Sequence, residues 1–274
     1  MLPSALSDLI QQKKSYLCIG LDTDPAKLPA HLLSKKDPVL AFNQQIIEAT
    51  AEYAVAYKPN LAFYEALGPS GWETLRKTME LIPDEIFTIA DAKRGDIGNT
   101  AARYANAFFE EFGFDSITVA PYMGADSVKP FLTFPEKWVF LLALTSNPGA
   151  FDFQHHGPEG KPLYKEVLKK GEEWSREVVG ELGYVVGATR ADGLQEVRAI
   201  APHATLLVPG VGAQGGDLHA VCQHGATSNG GLLINSSRGI LYAESNKQFA
   251  QAAALAAQDL QQQMAPYISG RKVK

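Results

Sequence analysis

Eight short apolar runs, each ending in polar or glycine-rich residues and each followed by a helical pattern, constrain the fold of this chain more than any other feature. In order they are 15–21, 54–57, 86–90, 116–120, 139–144, 183–187, 205–208 and 231–234. Helical patterns fall between them at 38–53, 71–82, 100–111, 125–133, 163–180, 192–200 and 217–223. A short opening helix reads at 4–14 and an Ala/Gln-rich closing helix at 246–263. Runs this short and this apolar are strands buried on both faces, as in a parallel sheet. A parallel strand needs a crossover before it can pair again, and that crossover is right-handed. Eight such units closing on themselves predict an α/β fold, a (β/α)8 TIM barrel. A doubly wound open sheet is the weaker alternative. Ser4 and Ser70 read as caps of the helices that follow them.

No linker, low-complexity block or charge run splits the units. The expected organisation is therefore one barrel domain over 1–274, with a short N-terminal helix and a disordered C-terminal tail. A chain of 274 residues with 46% apolar content can bury such a core, and α/β barrels run to ~250 residues as one domain. The net charge of −5 argues against nucleic acid as a partner. The one basic cluster, Arg271-Lys272-Val273-Lys274, reads as a solvated end. Cys18 and Cys222 cannot form a disulfide framework, and both sit in apolar patterns as buried thiols of a reducing compartment. No apolar run approaches the ~18 residues of a membrane span. The amphipathic N-terminus lacks the apolar centre of a signal peptide. The expectation is a soluble, cytoplasmic protein with no membrane partner. Metal binding is a poor fit, because there is no close His/Cys cluster and His155-His156 reads as solvated. No Walker or dinucleotide-binding pattern is present.

Barrels of this kind carry their active sites at the C-terminal ends of the strands. That is where the unusual residues fall: Asp22, Lys58, Asp91 with Lys93, Ser146, Gln214 and Arg238. The third run, Ile86 to Ala90, stops abruptly in Asp91, Lys93, Arg94 and Asp96. Alternation along a strand puts Asp91 and Lys93 on the same side. An acid and an ammonium there form either a polar floor beneath a cavity or a solvated surface pair worth little to stability. The shared position of all these residues favours the cavity. After the seventh run, Pro209-Gly-Val-Gly-Ala-Gln-Gly-Gly216 places four glycines in eight residues. A backbone without Cβ atoms can approach a ligand and turn its N–H groups toward an anion. Ser236-Ser237-Arg238-Gly239 after the eighth run adds hydroxyls, amides and a guanidinium. The loops after strands seven and eight are the usual phosphate site of such barrels, so phosphate binding is expected here.

The stretch Asp91-Ala-Lys93-Arg94-Gly-Asp96-Ile97-Gly-Asn-Thr100 resembles the signature of the orotidine 5′-phosphate decarboxylases. The similarity extends over most of the chain: Asp22 after strand one, Lys58 after strand two, Ser146-Asn-Pro-Gly149 after strand five, the 209–216 turn, and Arg238. Chain length and the segment after Thr145 resemble the longer bacterial branch, type 2. The resemblance implies conversion of orotidine monophosphate to uridine monophosphate and carbon dioxide, in de novo pyrimidine biosynthesis, with no metal or organic cofactor. Loss of the C6 carboxylate leaves an sp² carbanion that the ring π system stabilises poorly. Preorganised charge must do that work.

By the same resemblance Lys58, Asp91, Lys93 and Asp96 form an alternating catalytic array. Asp91 would crowd the substrate carboxylate, Lys93 would stabilise and protonate C6, and Lys58 would hold Asp91 and touch the ribose. Asp96, with Thr100, would reach into the neighbouring subunit's site, which implies a homodimer. Asp22 is implied in binding ribose hydroxyls, Ser146 the pyrimidine, and Gln214 with Arg238 the phosphate. Pro209, Ser237 and Gly239 complete the implied substrate-binding set. The glycine-rich turn would act as a lid, and the role of 150–162 stays open. Two rival functions differ in the residues they need. A magnesium-dependent relative acting on sugar phosphates would place a metal-ligating carboxylate after strand two, where this chain has Lys58, a cation that repels magnesium. A non-enzymatic phosphate-binding barrel would not need Asp91, Lys93 and Asp96 together.

Overall fold

The strands β1 (Leu17–Gly20), β2 (Ala56–Lys58), β3 (Phe87–Arg94), β4 (Ser116–Val119), β5 (Trp138–Leu144), β6 (Glu181–Val186), β7 (Leu206–Pro209) and β8 (Leu232–Ser236) pair in parallel and in chain order. In this computed structural model, which describes residues 1–157, 160–187, 191–210 and 217–268, the sheet closes. β8 returns to β1 through Leu17↔Ile234, Cys18↔Asn235 and Ile19↔Ser236. Closure removes both sheet edges and excludes the open doubly wound arrangement.

Around the barrel run α1 (Pro3–Lys13), α2 (Pro38–Thr50), α3 (Leu61–Glu65), α4 (Pro69–Glu80), α5 (Gly98–Asn106), α6 (Ala125–Val128), α7 (Ala150–Phe153), α8 (Leu163–Ser175), α9 (Ala191–Ile200), α10 (Leu218–Gly225), α11 (Arg238–Leu241) and α12 (Phe249–Ile268). α1 lies across the N-terminal end of the barrel, where its Pro3, Ser4 and Leu6 share a cleft with Trp138, Glu181 and Gly231. The opposite, C-terminal end is thereby left for the site. α2 starts at Asp37, whose carboxylate accepts from the Leu40 amide at 3.0 Å, with Pro38 in the first turn. Its Phe42 stacks on Phe249 of α12 with centroids 4.9 Å apart. Both rings are fully buried, and each contributes about 1.5–3 kcal/mol of transfer free energy.

The two expected serine caps are not caps. Ser4 lies inside α1, which opens at Pro3 with no side-chain cap. Ser70 lies inside α4 and donates to the Leu67 carbonyl at 3.0 Å, while Gly68 turns the chain at φ +65° ahead of Pro69. In both helices a proline takes the first position, because its fixed φ and missing N–H suit an end where the N–H has no partner. α12 runs five residues further than the sequence pattern indicates and passes through Pro266. α8 ends earlier, at Ser175. The C-terminal tail expected beyond α12, 269–274, lies outside the described residues.

The difference that matters most is in β3. It continues through Asp91 and Lys93 to Arg94 instead of stopping at Ala90. Lys58, too, is the last residue of β2, not a residue beyond it. The charged groups are therefore mounted on the sheet itself.

Candidate active site

At the C-terminal mouth of the barrel, the ends of β1, β2 and β3 bring four charged side chains together. The Lys58 ammonium donates to Asp91 Oδ2 at 2.6 Å and stands 3.9 Å from Asp22 Oδ1. The other Asp91 oxygen, Oδ1, accepts from Lys93 Nζ at 2.5 Å and from the Thr118 hydroxyl at 3.2 Å. Asp91 is thus a carboxylate held between two ammonium groups. The side chains of Lys58 and Asp91 are only 5% and 9% exposed, whereas Lys93 is 50% exposed and open toward the mouth. The backbone supports the arrangement, since the Asp91 amide donates to the Pro59 carbonyl at 3.0 Å and Leu21 to Lys58 at 3.1 Å.

Burial opposes ionisation of both partners, and the charge pairing overrides it. For Lys58, desolvation disfavours the ammonium, but Asp91 and then Asp22 raise its pKa above the ordinary lysine value. For Asp91, desolvation favours the acid form, yet Lys58 and then Lys93 hold the carboxyl well below the usual carboxylate range. The pair is ionised across the physiological range.

Asp22 lies on the same wall. Its Oδ1 is buried and accepts no hydrogen bond, since Lys58 is beyond hydrogen-bond reach. A buried carboxylate oxygen facing a cleft with unused accepting capacity suits a hydroxyl donor. Beneath it a fully buried polar network fixes the end of β1. Thr23 donates to Asn43 Oδ1 at 2.6 Å, Asn43 donates to Tyr64 and Thr78, and the Tyr64 hydroxyl donates to the Leu21 carbonyl.

Asp22, Lys58 and Asp91 line a cleft of about 180 Å³ whose other wall is formed by Pro209, Ser237 and Arg238. Arg238 opens α11 and is exposed, and no described side chain pairs with its guanidinium. Ser237 packs so closely over β1 that a Cβ on Gly20 would sit 1.9 Å from its hydroxyl oxygen. Only glycine lets these two strand ends meet. Gly239 is the next residue of α11, exposed and off the cleft wall.

Other expected residues are not brought to this cleft. Ser146 lines a neighbouring cleft of about 670 Å³ at the mouth of β5 and β6, together with Phe151, His155 and Tyr164. Asp96 is half-buried, with its carboxylate accepting from the Ile97 amide at 2.8 Å, and Thr100 is exposed in the first turn of α5. Neither lines its own chain's cleft. Gln214 lies outside the described residues, as does most of the glycine-rich turn.

Ser236, of the loop expected to bind phosphate, lines the cleft. Three residues at the site carry no clear signal in the sequence: Asn60, Thr118 and Asn235. Asn60 and Asn235 line the cleft. Position alone marks them, since all lie at or just past a strand end, but single polar residues at such ends are common. Thr118 is hidden inside an apolar run. Cys18 and Cys222 are free and buried as expected. Burial pushes each thiol up to about 12, against the pull of Lys58 in the case of Cys18. Among the described residues, no three His, Cys, Asp or Glu side chains gather as a metal-holding group, and no helix is long and apolar enough to cross a membrane.

A closed parallel barrel with an Asp–Lys cluster at the C-terminal mouth of its strands defines the class: a (β/α)8-barrel enzyme with a charged, preorganised site. The comparison with known proteins makes the assignment narrower. Residues 15–253 match the model of the Orotidine 5'-phosphate decarboxylase / HUMPS family, and the chain belongs to that family. It is 58% identical over 268 residues to the orotidine 5'-phosphate decarboxylase of Christiangramia forsetii, covering 97% of this chain and 98% of the relative. It is 54% identical over 270 residues to the Bacteroides fragilis protein of the same name, with 97% of each covered. Among solved structures, OMP decarboxylase from Leishmania donovani superimposes with a TM-score of 0.78 at 38% identity, over 93% of this chain and 98% of that one.

Proposed function

We propose that this chain is a carboxy-lyase that converts orotidine 5′-phosphate to uridine 5′-phosphate and carbon dioxide, as the names of its relatives indicate. The observation that carries the reading is the Asp91 carboxylate, buried and held ionised between the Lys58 and Lys93 ammonium groups. A fixed negative charge at that point repels a substrate carboxylate placed beside it, and the repulsion disappears when carbon dioxide leaves. The C6–carboxylate bond breaks with its electron pair left on C6. The exposed Lys93 ammonium, already aligned by Asp91, stabilises that charge and transfers a proton to C6. Because the charges are set before substrate arrives, no reorganisation accompanies the reaction.

The remaining residues would orient the nucleotide. The unfilled Asp22 oxygen accepts a ribose hydroxyl, and the unpaired Arg238 guanidinium binds phosphate with Ser237. Binding energy from the distant phosphate then supports positioning at C6. Ser146 would reach the pyrimidine by movement of the 145–149 turn onto the base, and Gln214 would join the phosphate. Asp96 and Thr100 would complete the site of a second copy. Their failure to line their own cleft supports that reading, as do exposed Ile97, next to Asp96, and exposed Met123, which lies near Gly95. The family description spans two named activities. Lys58 favours the decarboxylase, because its ammonium fills the space between Asp22 and Asp91 that a divalent cation bound by these acids would take.

Purified protein mixed with orotidine monophosphate and EDTA should bleach the orotate ultraviolet band, and the Lys93→Ala variant should not. Turnover of a sugar phosphate only on addition of magnesium would assign the chain to the other activity. Equal bleaching by wild type and variant would remove Lys93 from the chemistry.

A further inference from the structure

The residues that carry the proposed chemistry sit on an irregularity in the sheet. β3 and β4 pair at Ala90↔Ile117 and again at Arg94↔Val119. Residues 91, 92 and 93 on β3 therefore face Thr118 alone on β4, so β3 carries two extra residues and bulges there. Lys93, within the bulge, has φ +47°, a left-handed conformation that a side chain with a Cβ adopts only under constraint from its surroundings. In a regular ladder the Lys93 amide would donate to a backbone carbonyl of the neighbouring strand. Here it donates at 2.9 Å to the Thr118 hydroxyl oxygen, and that same hydroxyl donates at 3.2 Å to Asp91 Oδ1. Thr118 is fully buried, and its bond to Asp91 is shielded from water while that to Lys93 is partly so.

We infer that Thr118 is the positioning residue of the charge array, its single hydroxyl taking the place of the missing ladder bond and locking the Asp91 carboxylate and the Lys93 backbone in one geometry. The inference rests on the decarboxylase reading for its consequence in turnover, though not for the geometry itself. One oxygen that accepts from Lys93 while donating to Asp91 is something a hydroxyl does and an aliphatic side chain of the same shape cannot. Without it the bulge has no cross-strand bond opposite Lys93. The amide is then left without its partner in a partly buried setting, and the backbone relaxes away from φ +47°, moving the ammonium relative to the carboxylate. Bulges beside active sites re-aim side chains in this way. Thr118 does not line the substrate cleft, so its loss should spare binding.

The test compares wild type, Thr118→Val and Thr118→Ser for turnover of orotidine monophosphate, affinity for uridine monophosphate and hydrogen exchange of the Lys93 amide. Thr118→Val should lose between about tenfold and a hundredfold in kcat, with uridine monophosphate affinity within about twofold of wild type. The Lys93 amide should exchange faster. Thr118→Ser should restore both turnover and protection. If Thr118→Val fails to fold, Thr118→Ala against Thr118→Ser isolates the same oxygen, since both lack the methyl group, and the serine variant should be the faster by about tenfold. Wild-type kcat and slow Lys93 exchange in the valine variant, or a serine variant as impaired as valine or alanine, would overturn the inference. A wild-type protein that does not bleach orotidine monophosphate would instead overturn the decarboxylase reading, and the Lys93 exchange comparison would still decide whether Thr118 holds the bulge.

Discussion

Asp91 keeps its charge at a point where water cannot support it, and the cost is offset by two ammonium groups and one hydroxyl. This has a consequence for stability. The folded-state pKa of Asp91 lies well below the ordinary carboxylate value, with burial outweighed by Lys58 and Lys93. A depressed folded pKa means that the unfolded chain takes up the proton first. The contribution is fully present above an unfolded value of about 3.9 and is lost as pH falls from there through the depressed folded value. Thermal unfolding of wild type and Asp91→Asn between pH 3 and pH 7 should therefore show a gap in Tm that is constant above about pH 5 and narrows toward pH 3. A gap of the same size at every pH would mean that Asp91 is not held ionised by its neighbours. At this scale the sequence was informative for charged residues and silent for Thr118. Four charges in six residues stand out after an apolar run. A threonine inside Ser116-Ile-Thr-Val119 looks like an ordinary strand residue, and only the register across β3 and β4 shows what its hydroxyl does.

The elements divide in the same way. Strand existence was legible because a short apolar run bounded by turn residues fits a strand covered on both faces and is too short for a core helix. Strand ends were not, because Asp91 and Lys93 extend β3 through contacts with residues 25 and more positions away. The 150–162 segment, which has no period to read, contains α7 and a clamp onto the turn before it. Gln154 accepts from the Thr145 amide at 2.7 Å and donates to the Thr145 hydroxyl at 2.8 Å, while its own carbonyl accepts from Tyr164 at 3.1 Å. The segment thus holds the turn that carries Ser146. Each bond contributes on the order of 0.5–1.5 kcal/mol. Gln154→Ala should raise KM for orotidine monophosphate between about threefold and tenfold, with a shift in Tm of no more than a few degrees. Steady-state kinetics beside calorimetry decide this. A lowered kcat at unchanged KM would detach the clamp from substrate binding.

For the whole molecule, the closed barrel concentrates seven of the expected site residues at one mouth: Asp22, Lys58, Asp91, Lys93, Pro209, Ser237 and Arg238. Ser146 lines the neighbouring cleft and Gly239 lies off the wall, and two more, Asp96 and Thr100, also stay outside. Asp96 and Thr100 follow β3 by only a few residues, so no long excursion separates them from the cleft. Their side chains nonetheless do not line it. On the proposed reading they serve a second copy, whose approach would also cover exposed Ile97 and Met123. In a two-fold dimer each complete site then draws Lys93 from one protomer and Asp96 from its partner. Lys93→Ala and Asp96→Ala should each be inactive alone. Unfolded, mixed in equal amounts and refolded together, they should regain activity, because a heterodimer has one site with both mutations and one with neither. Random pairing makes about half the dimers mixed, so about a quarter of all sites should be intact, and specific activity should approach about a quarter of wild type. If Asp96 served its own chain, every site in the mixture would carry one lesion and the mixture would stay silent. Recovery of activity is therefore a direct reading of which chain supplies Asp96, and it needs no assumption about the shape of the interface.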